Sequence, residues 1–361
     1  MDFKLTWLLF GISLFPFALY AVYALVNICN QSRLKPLQTS PFSEKISIVI
    51  ACYNEVNHVS QRLDFFLRAE NWIEGSEIIV VSGGSNDGTS TVLERYQSDP
   101  RVRVFIFEER YSKIRAVNFA VGQVKHNYIV FSDCRQAVKD GSVQALLRNF
   151  NDPTVGTVSA TLMDGGSWAR GILNAIALGE SNRRSSHNVF GALYAQRRSC
   201  FRTIPTNLIF DDLFVVVSTI AQGYRLVQEP EAVIVDRSFV QYYRRGRILR
   251  LCKGLLLFVL RHHKLIHAMP IGEIFAFYIN KYVKLILPFS TLSIAVILFI
   301  ELRFLEFNCI VVWIFLIISL LLIKGFRTLV LSCLRFNCYF IYGILLFCLG
   351  KERSLDWEKL N

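Results

Sequence analysis

No CxxC pair and no zinc-ligand spacing occurs among the nine cysteines, several of which lie inside apolar runs. That excludes a disulfide framework and a zinc module, and it leaves buried thiols in a reducing or membrane setting. No Walker sequence is present and no GxGxxG follows the first strand-like run, so the P-loop and dinucleotide-binding arrangements fall away. There is no internal repeat and no low-complexity stretch.

The chain is rich in apolar residues, 53% of its 361, and they are unevenly spread. Residues 45–240 have the texture of a globular α/β protein, while 5–29 and 282–349 are far more apolar. The formal net charge is +12, yet the basic residues gather beside the apolar segments. Arg33 and Lys35 come after the first, a run from Arg244 to Lys264 precedes the last, and Lys324 and Arg327 lie within it. This placement fits the positive-inside rule and an anionic lipid surface, and it points to membrane lipid rather than nucleic acid as the partner.

The first apolar run, 5–27, is about 23 residues, enough to cross a bilayer and longer than the core of a cleaved signal peptide. Arg33 and Lys35 put the chain beyond that run in the cytoplasm. Pro36 and Pro41 then mark a linker, since neither suits a continuing helix. Arg244, Arg247, Arg250 and Lys253 recur at helical spacing with Ile248, Leu251 and Leu255 to one side, the pattern of a helix lying on lipid. Beyond it, 285–300 and 309–323 are apolar enough to span, and 329–349 is a third span or a re-entrant hairpin. The expected organisation is an anchor at 1–30, a linker at 31–44 and a cytoplasmic α/β domain at 45–240. A basic interfacial region at 241–270 and a membrane region with a short tail at 271–361 complete it. The implied location is the inner (plasma) membrane, with several passes.

Within the α/β domain the spacing predicts strands at 46–51, 77–81, 102–107 and 128–132, with helices at 59–70, 89–97 and 114–124. Such alternation calls for a largely parallel sheet with helices on both faces. Ligands of open α/β sheets collect beyond the carboxyl ends of the strands. There the first strand ends in Cys52-Tyr53-Asn54-Glu55, the second in Ser82-Gly83-Gly84-Ser85-Asn86-Asp87-Gly88-Thr89, and the fourth in Asp133. A carboxylate entered straight from an apolar strand is poorly suited to sheet packing. Asp133 also comes several residues early to cap a helix starting near Asp140.

The ordered set Tyr53-Asn54-Glu55, Ser85 to Thr89, Lys113-x-x-Ala116-x-Asn118 and Phe131-Ser132-Asp133 resembles the family 2 glycosyltransferases. The likeness runs on through Gly191 to Arg198, Asp211-Asp212, Gly223-Tyr224-Arg225 and Glu229-Pro230-Glu231-Ala232, and covers roughly 45–255. It implies a nucleotide-diphospho-sugar transferase fold and an inverting enzyme. The donor is a nucleotide-diphospho-sugar, and the acceptor a saccharide or lipid of cell-surface polysaccharide or glycolipid synthesis. Asp133 is the implied ligand of Mg2+ or Mn2+, which neutralises a leaving nucleoside diphosphate with one or two protein carboxylates. Asp212 is the implied general base, with Asp211 orienting it or the acceptor. Tyr53, Asn54, Glu55, Asp87, Lys113, Asn118, Gly191 and Tyr194 are the implied substrate-binding residues, and Arg247 or Arg250 would hold the diphosphate. The competing accounts are a helix cap for Asp211-Asp212 and a packed strand end for Tyr194.

The chain departs from the family pattern in three places. Many members have acids where Ser82 and Gly83 stand here. The second acid of the usual Asp-x-Asp pair is Arg135. The Gln-x-x-Arg-Trp signature of processive synthases is not intact: one register starts at Arg247, another at Gln241, and both lack the tryptophan. Transfer of a single sugar to a polyprenyl phosphate or lipid is therefore an alternative, and a non-catalytic membrane scaffold a further one.

Overall fold

The computed structural model describes residues 3–32, 41–68, 72–164, 168–236, 245–301 and 337–349. The chain divides into two compact units. The larger comprises Leu25–Val240 with His262–Ile274, and the smaller holds Met1–Ala24, Gln241–Arg261 and Phe275–Asn361.

The chain opens with α1 (Phe3–Asn30), whose 25-residue stretch Thr6–Asn30 contains an 18-residue window of mean hydropathy 2.0 that is only 11% buried. It is long and apolar enough to cross a membrane. Four strands of the larger unit then form in the order β3-β2-β1-β4: β1 (Ile46–Cys52), β2 (Glu77–Gly83), β3 (Val102–Phe107) and β4 (Tyr128–Ser132). All pair in parallel. Ile46, Ile48 and Ile50 share a core with Val59, Leu63 and Phe66 of α2 (Val59–Leu67) and Leu93 of α3 (Thr89–Glu94). Alternate residues face the opposite side, where α4 (Lys113–Gln123) packs on β1 and β2. Burial on both faces is why β1, β2 and β4 read as nearly continuous apolar runs, whereas edge strand β3 is half-buried and carries Arg103.

The second half departs from the largely parallel sheet that the spacing predicts. After β5 (Ala137–Val138), α5 (Ser142–Arg148), β6 (Val155–Met163) and α6 (Trp168–Arg183), strand β7 (Leu193–Arg197) inserts antiparallel between β4 and β6. After α7 (Asp211–Ala221), β8 (Arg225–Val235) pairs in parallel with β6 and antiparallel with β5. The eight-stranded sheet is mixed, with helices packed on it. The expected 59–70 helix runs Val59–Leu67, and the 89–97 helix closes at Glu94.

In the smaller unit, Ile248, Leu249, Cys252, Leu255 and Phe258 of α8 (Arg245–His267) are buried at helical spacing. Lys253 is buried as well, so the basic residues do not all lie on one free face as the spacing implies. A 55° bend separates α9 (Ile271–Lys281) from α10 (Val283–Glu301), within which the expected 285–300 span falls. A further apolar helix covers Asn337–Cys348. The expected 309–323 span, Arg33, Lys35, Lys324, Arg327 and the 241 register of the tryptophan signature lie outside the described residues.

Candidate active site

At the carboxyl ends of β1, β2 and β4, side chains sew three loops together. Asn54 adopts φ 52°, the one positive value among described non-glycine residues, and its strain is met by partners from the next loop. Its N–H donates to Ser85 Oγ at 3.1 Å, its Nδ2 to Asn86 Oδ1 at 2.9 Å, and its Oδ1 accepts from Asn86 N–H at 3.0 Å. Glu55 N–H donates to Thr89 Oγ1 at 2.8 Å. Asp87 accepts from Val56 N–H at 3.1 Å and from the N–H and hydroxyl of Thr89. Partial desolvation works against the Asp87 carboxylate, but these donors outweigh it and hold its pKa below the usual range. The third loop joins through Arg135, whose Nε lies 2.6 Å from Glu55 Oε1. Burial raises the Glu55 pKa and Arg135 opposes the shift. The arginine at the second acid's position thus finds its counter-charge on the first loop.

The glycines explain another departure. A Cβ at Gly83 would lie 2.4 Å from Tyr111 O, and one at Gly84 would lie 2.5 Å from Glu109 O. Tyr111 N–H donates to Gly83 O at 3.1 Å. The 109–111 segment thus covers the end of β2 where other family members carry acids. It delivers Arg110 onto the ring of Tyr53, 3.2 Å from its centroid, a cation–π stack that no sequence motif announces.

Inside this ring of loops the charges converge. Register pairs Phe131 with Tyr194, and Asp133 N–H donates to Ala192 O at 3.1 Å, so β4 and β7 bring Asp133 beside the Gly191-Ala192 turn. Lys113, at the start of α4, points its Nζ to 2.8 Å from Asp133 Oδ1 and 3.8 Å from Asp211 Oδ2. A Cβ at Gly191 would lie 3.7 Å from the same nitrogen. Burial would lower the Lys113 pKa, yet Asp133 and Asp211 outweigh it and the pKa is raised. Tyr194 is buried and stacked on Phe131, centroids 4.6 Å apart at 14°. Burial raises its phenol pKa, helped by Asp211, Asp133 and Asp212 and opposed by Lys113. Tyr194 is thus packed at its strand end, close to the charges of Lys113, Asp133, Asp211 and Asp212.

Asp211 and Asp212 open α7, whose N-cap is Phe210 without a side-chain bond. Asp212 Oδ1 accepts the Leu213 N–H at 2.8 Å, so the capping account holds in part, and that bond also fixes the carboxylate. Asp133 caps nothing on α5, whose N-cap is Gly141. Asn118 donates from Nδ2 to Ile204 O at 2.7 Å and accepts from Ile204 N–H at 2.9 Å. Both ends of its amide thereby pin the segment leading to Asp211, a positioning part where the resemblance implies substrate contact. Arg250 is half-buried on α8 in the smaller unit, and the side chain of Arg247 lies outside the described residues. Arg110 is the member of this site that motif spacing misses. The polar stretch 108–112 after a strand is its one trace in the sequence.

The profile of glycosyl transferase family 2 matches residues 47–236, more than half of the chain and the whole of the loop-and-acid arrangement. The chain belongs to glycosyl transferase family 2. It is 22% identical over 204 residues to the poly-beta-1,6-N-acetyl-D-glucosamine synthase of Staphylococcus aureus (strain MSSA476), covering 53% of this chain and 49% of that protein. The synthase of the same name from Staphylococcus epidermidis is 26% identical over 117 residues, covering 32% and 28%. The chain spans about half the length of the curated relatives it matches. The mannosyltransferase PcManGT of Pyrobaculum calidifontis, solved with GDP-Man and Mn2+, superposes with a TM-score of 0.74 at 21% identity. That superposition covers 95% of this chain and 100% of the other, and it establishes the nucleotide-sugar transferase fold.

Proposed function

We propose that this family 2 member is an inverting glycosyltransferase that moves a sugar from a nucleotide-diphospho-sugar to a saccharide or lipid acceptor. Its product would belong to cell-surface polysaccharide or glycolipid synthesis, as the names of its relatives suggest. The observation that carries this reading is Lys113 held between Asp133 and Asp211, with Asp212 fixed beside them on the first turn of α7.

Two carboxylates, Asp133 and Asp211, converge on one cationic point in that cluster. This fits Mg2+ or Mn2+ held through Asp133, with diphosphate and water completing the shell. When bound, such a cation would neutralise charge on the leaving diphosphate. The PcManGT complex with Mn2+ supports divalent metal use and leaves the choice of ion to experiment. Lys113 would balance the carboxylates while the site is empty and turn to the diphosphate when the donor enters. Asp212 would accept the proton of the acceptor hydroxyl, and Asp211 would orient it. Tyr53, with Arg110 on its face, would border the base, while Asn54, Glu55 and Asp87 would bind indirectly by holding the donor loops in shape. Gly191 and Tyr194 would border the acceptor, and an arginine of α8, Arg247 or Arg250, would steady the diphosphate.

We further place residues 45–240 on the cytoplasmic side of the inner (plasma) membrane, anchored by α1 and by one or more C-terminal spans. The positive charge just after α1 supports this. The experiment is to supply purified full-length protein with a panel of nucleotide sugars and Mg2+ or Mn2+. Metal-dependent release of nucleoside diphosphate is the expected result. Failure to turn over any donor, with membrane insertion intact, would replace this reading with the non-catalytic scaffold. Long product ladders would exclude single-sugar transfer to a polyprenyl phosphate or lipid.

A further inference from the structure

α6 carries a face that changes character along its length. Residues 168, 172, 175, 179 and 182 recur at steps of four and three, which puts them in one stripe. At the carboxyl end of the stripe, α1 docks. A Cβ at Gly179 would lie 1.8 Å from Asn27 O, so this is a backbone-to-backbone approach that only glycine permits. Asn182 Nδ2 donates to Asn30 O at 2.9 Å and to Gln31 O at 3.0 Å. Those partners belong to the same compact unit as α6, and they are the polar residues that bring the apolar helix α1 to a close. At the amino end of the stripe the helix stands open among the described residues. Trp168 is 69% exposed, Ile172 41%, and neighbouring Gly171 has open space where a Cβ would stand.

We infer that α6 lies at the lipid surface, with Trp168 and Ile172 entering the boundary between headgroups and acyl chains. This rests on the membrane anchoring proposed above. The face that receives the end of a bilayer-crossing helix looks toward the bilayer, and the uncovered remainder of that face looks the same way. Its chemistry suits that place, since an indole buries its apolar body while keeping its N–H near water. An exposed apolar stripe in register with a membrane anchor is a lipid-binding feature before it is a protein-binding one. The carboxyl end of α6 leads through 184–190 to the Gly191-Ala192 turn, so this seating would hold the acceptor side of the site close to the membrane.

The experiment places the photo-crosslinking residue p-benzoylphenylalanine at one position at a time in the full-length protein. The positions are Trp168, Ile172, Phe15 of α1, and Gln97 on the exposed surface of the α/β unit. Each variant is reconstituted in nanodiscs of phosphatidylethanolamine and phosphatidylglycerol, irradiated, and weighed intact. The expected result is an adduct of one phospholipid mass at 168, 172 and 15, with none at 97. Two labelled sites on α6 keep the outcome readable where one substitution disturbs folding. Adducts at 15 without any at 168 or 172 would overturn the inference and leave the anchor standing. Cross-links from 168 or 172 to a second copy of the chain, in place of lipid, would also overturn it. Absence of adducts at 15 would overturn the membrane reading itself, and this inference with it.

Discussion

Asp212 is held by its own helix: the Leu213 N–H fixes Oδ1 at 2.8 Å, so the side chain serves α7 and the proposed chemistry together. Asp212→Asn separates the two. Asparagine keeps an oxygen for the N–H and is about as good at helix starts as aspartate, but it cannot take a proton. Sugar transfer is expected to fall roughly 10²-fold or more, with folding and nucleoside diphosphate binding retained. Transfer at near wild-type rate would return the pair to capping alone. Asp133→Asn is expected to weaken metal-dependent donor binding as well as turnover, because it removes the carboxylate proposed to hold the ion. Titrating nucleoside diphosphate into both variants at fixed Mg2+ or Mn2+ tells them apart.

At the scale of elements, the donor side depends on loops kept close by small residues. Gly83→Ala would bring a methyl against Tyr111 O, a backbone atom that moves only with its segment. The expected cost is about 1–3 kcal/mol of stability, as for other overpacked sites. Weaker donor binding should accompany it, because Arg110 rides on the displaced segment and Tyr53 loses its partner. Thermal unfolding and donor titration on the same preparation check both parts. A stable variant with unchanged donor affinity would show that the segment yields freely. The strand–helix alternation of 46–132 is legible in the sequence because β1, β2 and β4 are buried on both faces and mostly apolar, and because β3, though half-buried, is still a short apolar run broken only by Arg103. The place of β7, antiparallel between β4 and β6, is not legible there, since nothing in Leu193–Arg197 encodes which neighbours it pairs with.

Across the larger unit, one buried charge cluster ties distant segments. His187 is 1% exposed, with Nε2 3.0 Å from Glu273 Oε2 of α9 and Nδ1 3.7 Å from Glu180 Oε2 of α6. Arg184 stands 3.5 Å from the other Glu273 oxygen. Burial alone would lower the imidazole pKa, but the two carboxylates prevail and push it up to about 9. A group with a raised folded pKa contributes stability that is fully present below its unfolded value, about 6.5, and lost as pH climbs through the folded one. The melting temperature is therefore expected to decline between pH 7 and 10. His187→Gln should be less stable at pH 7, by on the order of 3 kcal/mol for a broken buried pair, and should lose most of that decline in melting temperature. Parallel declines in both proteins would assign the pH dependence elsewhere.

Order along the chain determined the family, the first half of the sheet and the positions of Asp133 and Asp211-Asp212, because local periodicity and short motifs are properties of neighbours. The apolar length of α1 belongs with these, since spanning capacity is a matter of composition and length. Tertiary structure alone decided that Lys113 answers two acids, that Arg135 answers Glu55 and that Arg110 covers Tyr53. It also decided that Asn118 serves Ile204 and that Gly179 admits Asn27. Each of these joins residues from separate segments of the chain. Coulomb attraction, close packing and hydrogen bonding depend on separation in space, and folding sets that separation.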